Sequence, residues 1–472
     1  MKKLLLLMEK GLFWWVVFLF VFIPLYPKFP LLNVAGTFVA VRLEDLFIAL
    51  AYIMWAFYMV FSKKVIDFFK DKLNLAILLF FFVGLVSLFS ANFLTHTTLP
   101  ALSFLHWTRR VEFMMLLPLV ATVIKTKKQL VISLLTLFVV AFLVNIYALG
   151  QQYLNWPVIS TTNSEFSKGL ILSLSPGARV NSTFAGHYDL AVFLAMVLVL
   201  ISSLFFALNR KFKIFSLGLG LLSFWVLIMT AARLSFVASL AGILASLVLL
   251  KKFKFILLLV MIMLGVLIYP SQLRDRLIST ITVNIFGQGE RFKGQTEDQR
   301  IRSKLNIPTL AIKTSSESAE TSTFATGSAE IASDIAPGEP IDTTQLGVYR
   351  SFSIRLNLEW PAAVRAFLKN PLLGTGYSSL GIATDNDFLR SLGEVGILGT
   401  TAFVLIFIEI IKRIVKLFKE SDKFIKYFSV GILSLILAFV INGLFIDVFE
   451  SSKVASIFWM TVGLNLAVRN FK

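Results

Sequence analysis

The residues of this chain that could do chemistry fall in four short clusters rich in arginines and carboxylates. RVNSTFAGHYD runs from Arg179 to Asp189 and includes His187, and TAARLS carries Arg233. SIRLNLEW carries Arg355 and Glu359, and ATDNDFLRSLGEVGILG carries Asp385, Asn386, Asp387, Arg390 and Glu394. The planar fork of arginine pairs bidentately with phosphate oxygens, so Arg233 and Arg355 are candidates for holding a diphosphate. Asp385 is a carboxylate that could take a proton from an attacking hydroxyl. Arg179, His187, Asn386 and Arg390 are further candidates for contacting substrate.

Each of these residues also has a plainer reading. Arg233 could snorkel to an interface as an anchor, and Arg355 could pair with Glu359 one helical turn away. Asp385 or Asp387 could cap the helix that follows, and His187 could be a satisfied polar residue at a helix start. Arg109 and Glu112 read as a structural pair inside an apolar segment, and Gly374 and Gly376 as the turn after Pro371. Other chemistries have no foothold. The chain has no phosphate-binding Gly-rich loop, no HExxH, no zinc spacing and no GxSxG. It has no Cys, hence no disulfide, thiolate ligand or cysteine nucleophile. No metal and no cofactor are expected.

The elements that must position these clusters are apolar helices. Of 472 residues 57% are hydrophobic and only 15% are charged, against about 25% charged in a soluble domain. The formal net charge of +18 would suggest nucleic acid in a soluble protein. Here the cations sit in short clusters between apolar runs, the pattern of cytoplasmic loops, and no nucleic-acid partner is expected. About 20 apolar residues cross a bilayer as a helix. Such runs fall at 11–27, 45–62, 73–90, 99–124, 129–149, 187–208, 213–230, 234–250, 253–270, 391–411, 425–446 and 452–469. The expected fold is all-α, a polytopic transmembrane bundle of about 12 spans. The first run has no small-residue cleavage site after it and reads as an anchor.

Lys and Arg alternate from loop to loop. One side takes Lys2, Lys3, Lys10, Lys63, Lys64, Lys125, Lys127, Arg210, Lys251 and the run from Lys412 to Lys426, while the short loops opposite hold few. Both termini are therefore expected to be cytoplasmic, in the inner (plasma) membrane, with the four clusters outside. The expected organisation is spans one to nine over 1–270, with an outer loop at 150–186. An extracytoplasmic loop follows at 271–390, and the last three spans occupy 391–472. Within the large loop, 309–347 is rich in Ser, Thr, Ala and Glu and is expected to be disordered. Helices are expected near 271–280 and 352–369, the second with Phe352, Leu356, Trp360, Ala363 and Phe367 on one face. Chemistry outside the membrane, where ATP is absent, requires a substrate that arrives activated.

The order of these features resembles the O-antigen ligase and polymerase superfamily, the bacterial membrane enzymes that handle undecaprenyl-diphosphate-linked glycans. The resemblance rests on Arg233 at a mid-chain helix start, Arg355 with Trp360 on a loop helix, and PLLGTG at 371–376. DNDFL at 385–389 and EVGILG at 394–399 complete it. It covers nearly the whole chain and is most specific in its last third. SSKVASIFWMTVGL, with Lys453 and Trp459, looks like the family's closing helix.

The resemblance implies a metal-independent membrane glycosyltransferase in cell-surface polysaccharide synthesis. Its partners would be an undecaprenyl-diphosphate-linked glycan donor, a glycan or lipid acceptor, and membrane lipid. Arg233 and Arg355 would hold the donor diphosphate, and Asp385 stands where the ligases carry His. A carboxylate there can serve as the base, or can mark the polymerase branch or a different acceptor. A secondary transporter or flippase of lipid-linked glycan is the rival from another class. It predicts two similar halves and polar residues at mid-membrane, neither of which the sequence displays. A membrane scaffold is a third reading, which leaves the outer arginines without a purpose.

Overall fold

The computed structural model describes residues 2–33, 40–159, 172–174, 178–282, 332–333, 344–381, 383–418 and 422–471. Most of the insert expected over 309–347 lies outside these residues. The first half is a succession of helices: α1 (Lys2–Leu25), α2 (Leu43–Phe61), the short α3 (Val65–Lys70), α4 (Lys72–Phe89), α5 (Pro100–Val123) and α6 (Lys127–Tyr153). Then come α7 (His187–Leu204), α8 (Arg210–Met229), α9 (Arg233–Leu249), α10 (Lys254–Ile268) and α11 (Gln272–Thr282). After the long connection stand α12 (Thr344–Ile354), α13 (Trp360–Lys369), α14 (Asp387–Leu417), α15 (Lys423–Gly443) and α16 (Ser452–Leu466). A π-helical turn, Arg355–Glu359, joins α12 to α13. Sheet among the described residues amounts to two small pairs, Pro30–Asn33 with Ala40–Arg42 and Leu172–Ser173 with Ala332–Ser333.

The chain is an all-α, multi-pass membrane protein. Among the described residues eight helical stretches are long and apolar enough to cross a bilayer, or nine if α10 and α11 form one broken span. A helix lies at each of the twelve apolar runs of the sequence, and the test of length and composition is met at eight or nine of them. The remaining three fall short for distinct reasons. α5 carries Arg109, Arg110 and Glu112 at its middle, and α9 and α16 are only 17 and 15 residues long. α16 is buried along its whole length, so it is a core helix of the bundle. By contrast α10 buries only Val266 and turns Leu257, Leu258, Met261 and Ile268 outward, as suits a helix at the lipid boundary.

Helix starts are set by side-chain caps. Asp71 accepts from the Leu73 and Asn74 amides at the start of α4, and Thr126 forms a capping box with Gln129 at α6. Asn209 and Asp422 cap α8 and α15. Asp71 also takes a bidentate pair from Arg413 at 2.9 and 2.7 Å, tying the start of α4 to the end of α14. Inside the bundle α5 packs along α16, α4 along α14, and α7 against α9 and α15. Polar side chains join helices where apolar packing alone is unspecific: Asn145 to Ser223, Ser235 to Asn442 and Asn465 to Ser429, at 2.8 to 2.9 Å.

The two glycine motifs of the sequence form a single structure. Gly396, at φ 66°, breaks α14, and the backbone beside it pairs with PLLGTG. Gly376 donates its amide to Glu394 O, Thr375 to Gly393 O, Ile397 to Pro371 O and Leu398 to Leu372 O, at 2.8 to 3.2 Å. The Ser87 hydroxyl of α4 contacts the Leu373 and Glu394 carbonyls at 2.6 and 2.9 Å. The strands of this clasp approach so closely that a Cβ on Gly396 would lie 2.4 Å from the Leu372 carbonyl, and one on Gly374 2.4 Å from Glu394 C. Glycine is therefore required at both, by φ and by contact. Gly396→Ala should cost at least about 1–3 kcal/mol from backbone strain alone. Gly218→Ala, whose Cβ meets nothing within 4 Å, should leave stability nearly unchanged. Melting curves of the two purified variants in detergent check this, and equal melting midpoints would refute it.

Candidate anion cavity and the buried ionic cluster behind it

Three segments distant in the sequence converge on one cavity of about 200 Å³. Arg233 enters it from the first turn of α9, Arg276 from α11 and Arg355 from the π-helical turn. Its walls are mostly apolar, with Leu234, Leu277, Phe352, Phe445 and Ile446 among them. The local chain explains each placement. The connection between α8 and α9 is only three residues, and Ala231 takes a left-handed φ of 50°, so Arg233 stands at the mouth. Tyr269, Pro270 and Ser271 turn α11 by 91° from α10, which lays Arg276 and Thr280 across the cavity. Arg233 hydrogen-bonds the Thr280 hydroxyl, and its guanidinium lies 5.8 Å from the centroid of the Phe352 ring.

Arg355 is buried and pairs with Asp385 at 2.7 Å; it also donates to Ser351. The expected intrahelical pair with Glu359 is replaced by this longer-range one. Both carboxylates are perturbed upward. Burial, with the nearby Asp385 charge adding to it, pushes Glu359 to about 7. Burial likewise raises Asp385, with Arg355 opposing the shift and Asp447 adding to it. Asp385 sits at a left-handed φ of 49°. It is held there because three successive amides, of Thr384, Asp385 and Asn386, donate to the Asp447 carboxylate at 2.8 to 3.1 Å. Asp387 answers by accepting from the Val448 and Phe449 amides.

The other sequence candidates are placed differently. Arg233 and Arg355 share the cavity, with Asp385 behind Arg355. Arg179 and His187 meet each other at 2.9 Å, and neither lines the cavity, although the neighbouring Tyr188 does. Asn386 is the cap of α14: its side chain accepts from the Phe388 and Leu389 amides and donates to Leu444 O. The cap expected of Asp385 or Asp387 thus belongs to the residue between them. Arg390 is buried in an ionic cluster, 3.1 Å from Asp447, 3.7 Å from Glu394 and 4.0 Å from Glu450. Arg110 of α5 joins the same cluster, paired with Glu450 and 3.4 Å from Glu394. Arg109 pairs with Asp45 at 3.9 Å instead of the expected Glu112.

Sequence reasoning missed Arg276, Asp447, Glu450 and the role of Arg110. A signal existed for Arg276, because Leu273, Arg276 and Thr280 recur at helical spacing and share one face. For the others the signal was the presence of charge in apolar surroundings, which demands a partner without naming it. The chain matches no protein-family model and no curated protein.

Arg390→Met should leave three carboxylates short of a counter-charge and cost about 3–5 kcal/mol. The loss should be smaller when combined with Asp447→Asn than the sum of the two single changes. Melting midpoints of the four proteins form a double-mutant cycle that checks it, and strict additivity would show the pair to be uncoupled.

Proposed function

We propose that this protein transfers a glycan from an undecaprenyl-diphosphate-linked donor to an acceptor hydroxyl at the outer face of the inner membrane, in the manner of O-antigen ligases and polymerases. The observation that carries the reading is the convergence of Arg233, Arg276 and Arg355 on one apolar-walled cavity. Cations suit a diphosphate and apolar walls suit the first isoprene units beside it. At about 200 Å³ the cavity is smaller than the roughly 300–1,000 Å³ of sites that enclose a whole drug-sized ligand. It suits the phosphate end of the donor, with the glycan and the lipid tail extending beyond it.

In this mechanism the arginines bind the diphosphate leaving group, which gains negative charge as the glycosidic bond breaks. Preorganised charges in a water-poor site favour that change more than they favour the intact donor. The acceptor hydroxyl attacks from the opposite face of the sugar, so inversion at the anomeric carbon follows. The orientation belongs to the same proposal. The lysine-rich connections Lys63–Lys72, Lys125–Lys128 and Arg210–Lys213 alternate with lysine-poor ones, which supports a reading with both termini in the cytoplasm and the cavity outside.

Purified protein in nanodiscs, given lipid-linked glycan and no nucleotide sugar, should release undecaprenyl diphosphate and elongate or modify an acceptor. A ladder of products would identify a polymerase and a single transferred block a ligase. Arg233→Ala, Arg276→Ala and Arg355→Ala should each lower transfer by roughly 100- to 1000-fold in folded protein. Wild-type rates in all three would sink the assignment. Movement of lipid-linked glycan across the vesicle membrane with no diphosphate released would favour the flippase reading.

A further inference from the structure

The π-helical turn Arg355–Glu359 and the residue after it bury three polar atoms without a hydrogen-bond partner: Arg355 Nε, Glu359 Oε2 and Trp360 Nε1. Thr384 Oγ1, beside Asp385, is buried and unpartnered as well. Buried polar atoms in native proteins are almost always satisfied, and π-helical turns recur at functional sites. Two donors and two potential acceptors thus lie on one turn and on the loop that the Arg355–Asp385 pair ties to it, a polar region of the fold. It adjoins the arginine cavity, because Arg355 belongs to both and the Trp360 ring lies 5.9 Å from Phe445 of the cavity wall.

The two carboxylates at this place are not equivalent. Asp385 is committed to Arg355 at 2.7 Å, and its backbone is clasped by Asp447. Protonating it would break a charge-assisted pair and release the arginine at the moment the leaving group needs it. Glu359 makes no such pair and presents a buried Oε2 with nothing bound to it. We infer that Glu359, and not Asp385, takes the proton from the acceptor, a sugar hydroxyl seated against Trp360, while Asp385 is a positioning residue for Arg355. This deepens the glycan-transfer reading and rests on it. The acceptor oxygen bonds to the anomeric carbon, and that carbon's bond to the diphosphate oxygen breaks with the electron pair leaving on the diphosphate. The proton passes to Glu359 and from there to solvent.

Charged groups facing Glu359 are Asp385 and Asp447, which hold its proton on, and Arg355 and Arg390, which favour its loss. With its carboxyl pushed up to about 7, Glu359 is protonated and inactive as a base in mild acid, so transfer should rise as the pH passes through 7.

The test uses the full chain in nanodiscs with two readouts, glycan transfer and binding of plain undecaprenyl diphosphate. Glu359→Gln should lower transfer at least roughly 100-fold and remove the rise near neutrality, with diphosphate binding retained. Asp385→Asn should weaken diphosphate binding and keep the rise. A smaller loss in Glu359→Gln, or an unchanged pH profile, overturns the inference while wild-type transfer still stands. If Glu359→Gln does not fold, Glu359→Asp and wild type decide, since a flat wild-type profile from about pH 5.5 to 8 overturns it equally. No transfer by wild type from any lipid-linked donor refutes the parent reading, and this inference with it.

Discussion

Two arginines, Arg110 and Arg390, lie buried within an apolar bundle, and the placement of everything at this end of the molecule follows from how their charge is met. An ion taken out of water loses several kcal/mol of hydration, which only close counter-charges and further hydrogen bonds offset. Glu394, Asp447 and Glu450 supply the counter-charge from two segments, and Arg110 brings in a third. Carboxylates then outnumber guanidinium groups, and the surplus is met by backbone. Ser378 donates its amide to Glu394, and Asp447 accepts three amides from the 384–386 loop. The cluster thereby fixes backbone as well as side chains.

That chain of obligations reaches the cavity. Asp447 answers Arg390 and at the same time fixes the loop carrying Asp385, and Asp385 fixes Arg355. On the other flank the Gly374–Gly396 clasp, braced by Ser87 of α4, sets where α14 begins to run straight. Arg355 therefore stands at the end of a relay of short-range contacts, each with little tolerance. In the proposed transfer such stiffness would keep Arg355 aimed at the leaving group, where misplacement by about 1 Å can cost 100-fold in rate.

Much of this architecture was legible in the sequence. Apolar runs located the helices, and helical spacing on the loop helix picked out Phe352, which lines the cavity, and the buried Ala363. Arg233 and Arg355 were singled out as a pair by type and position, and they line the same cavity. The span count was less legible, because length and composition alone do not separate a short or charge-bearing crossing helix from one that stays within the bundle. Pairing partners were not legible at all. Arg110 and Glu450 lie 340 positions apart, and nothing local to either residue names the other. The same holds for Asn386, whose capping role depends on the exact residue at which α14 starts, between two aspartates equally able to cap.

The loop helix also bears on which anion the cavity suits. Its inward side carries Phe352, Trp360 and Ala363, yet the opposite side presents Ile354, Leu358, Val364 and Leu368, all exposed. A segment apolar on both sides is poorly placed against bulk water and well placed at a lipid boundary. Arg365 and Lys369 are exposed on the same helix. In the proposed function a soluble polyanion would meet the three arginines but leave the apolar walls and this flank wetted. In that proposal a diphosphate attached to an isoprenoid chain would engage both, so the apolar walls and this flank agree with the proposed donor as the arginines do.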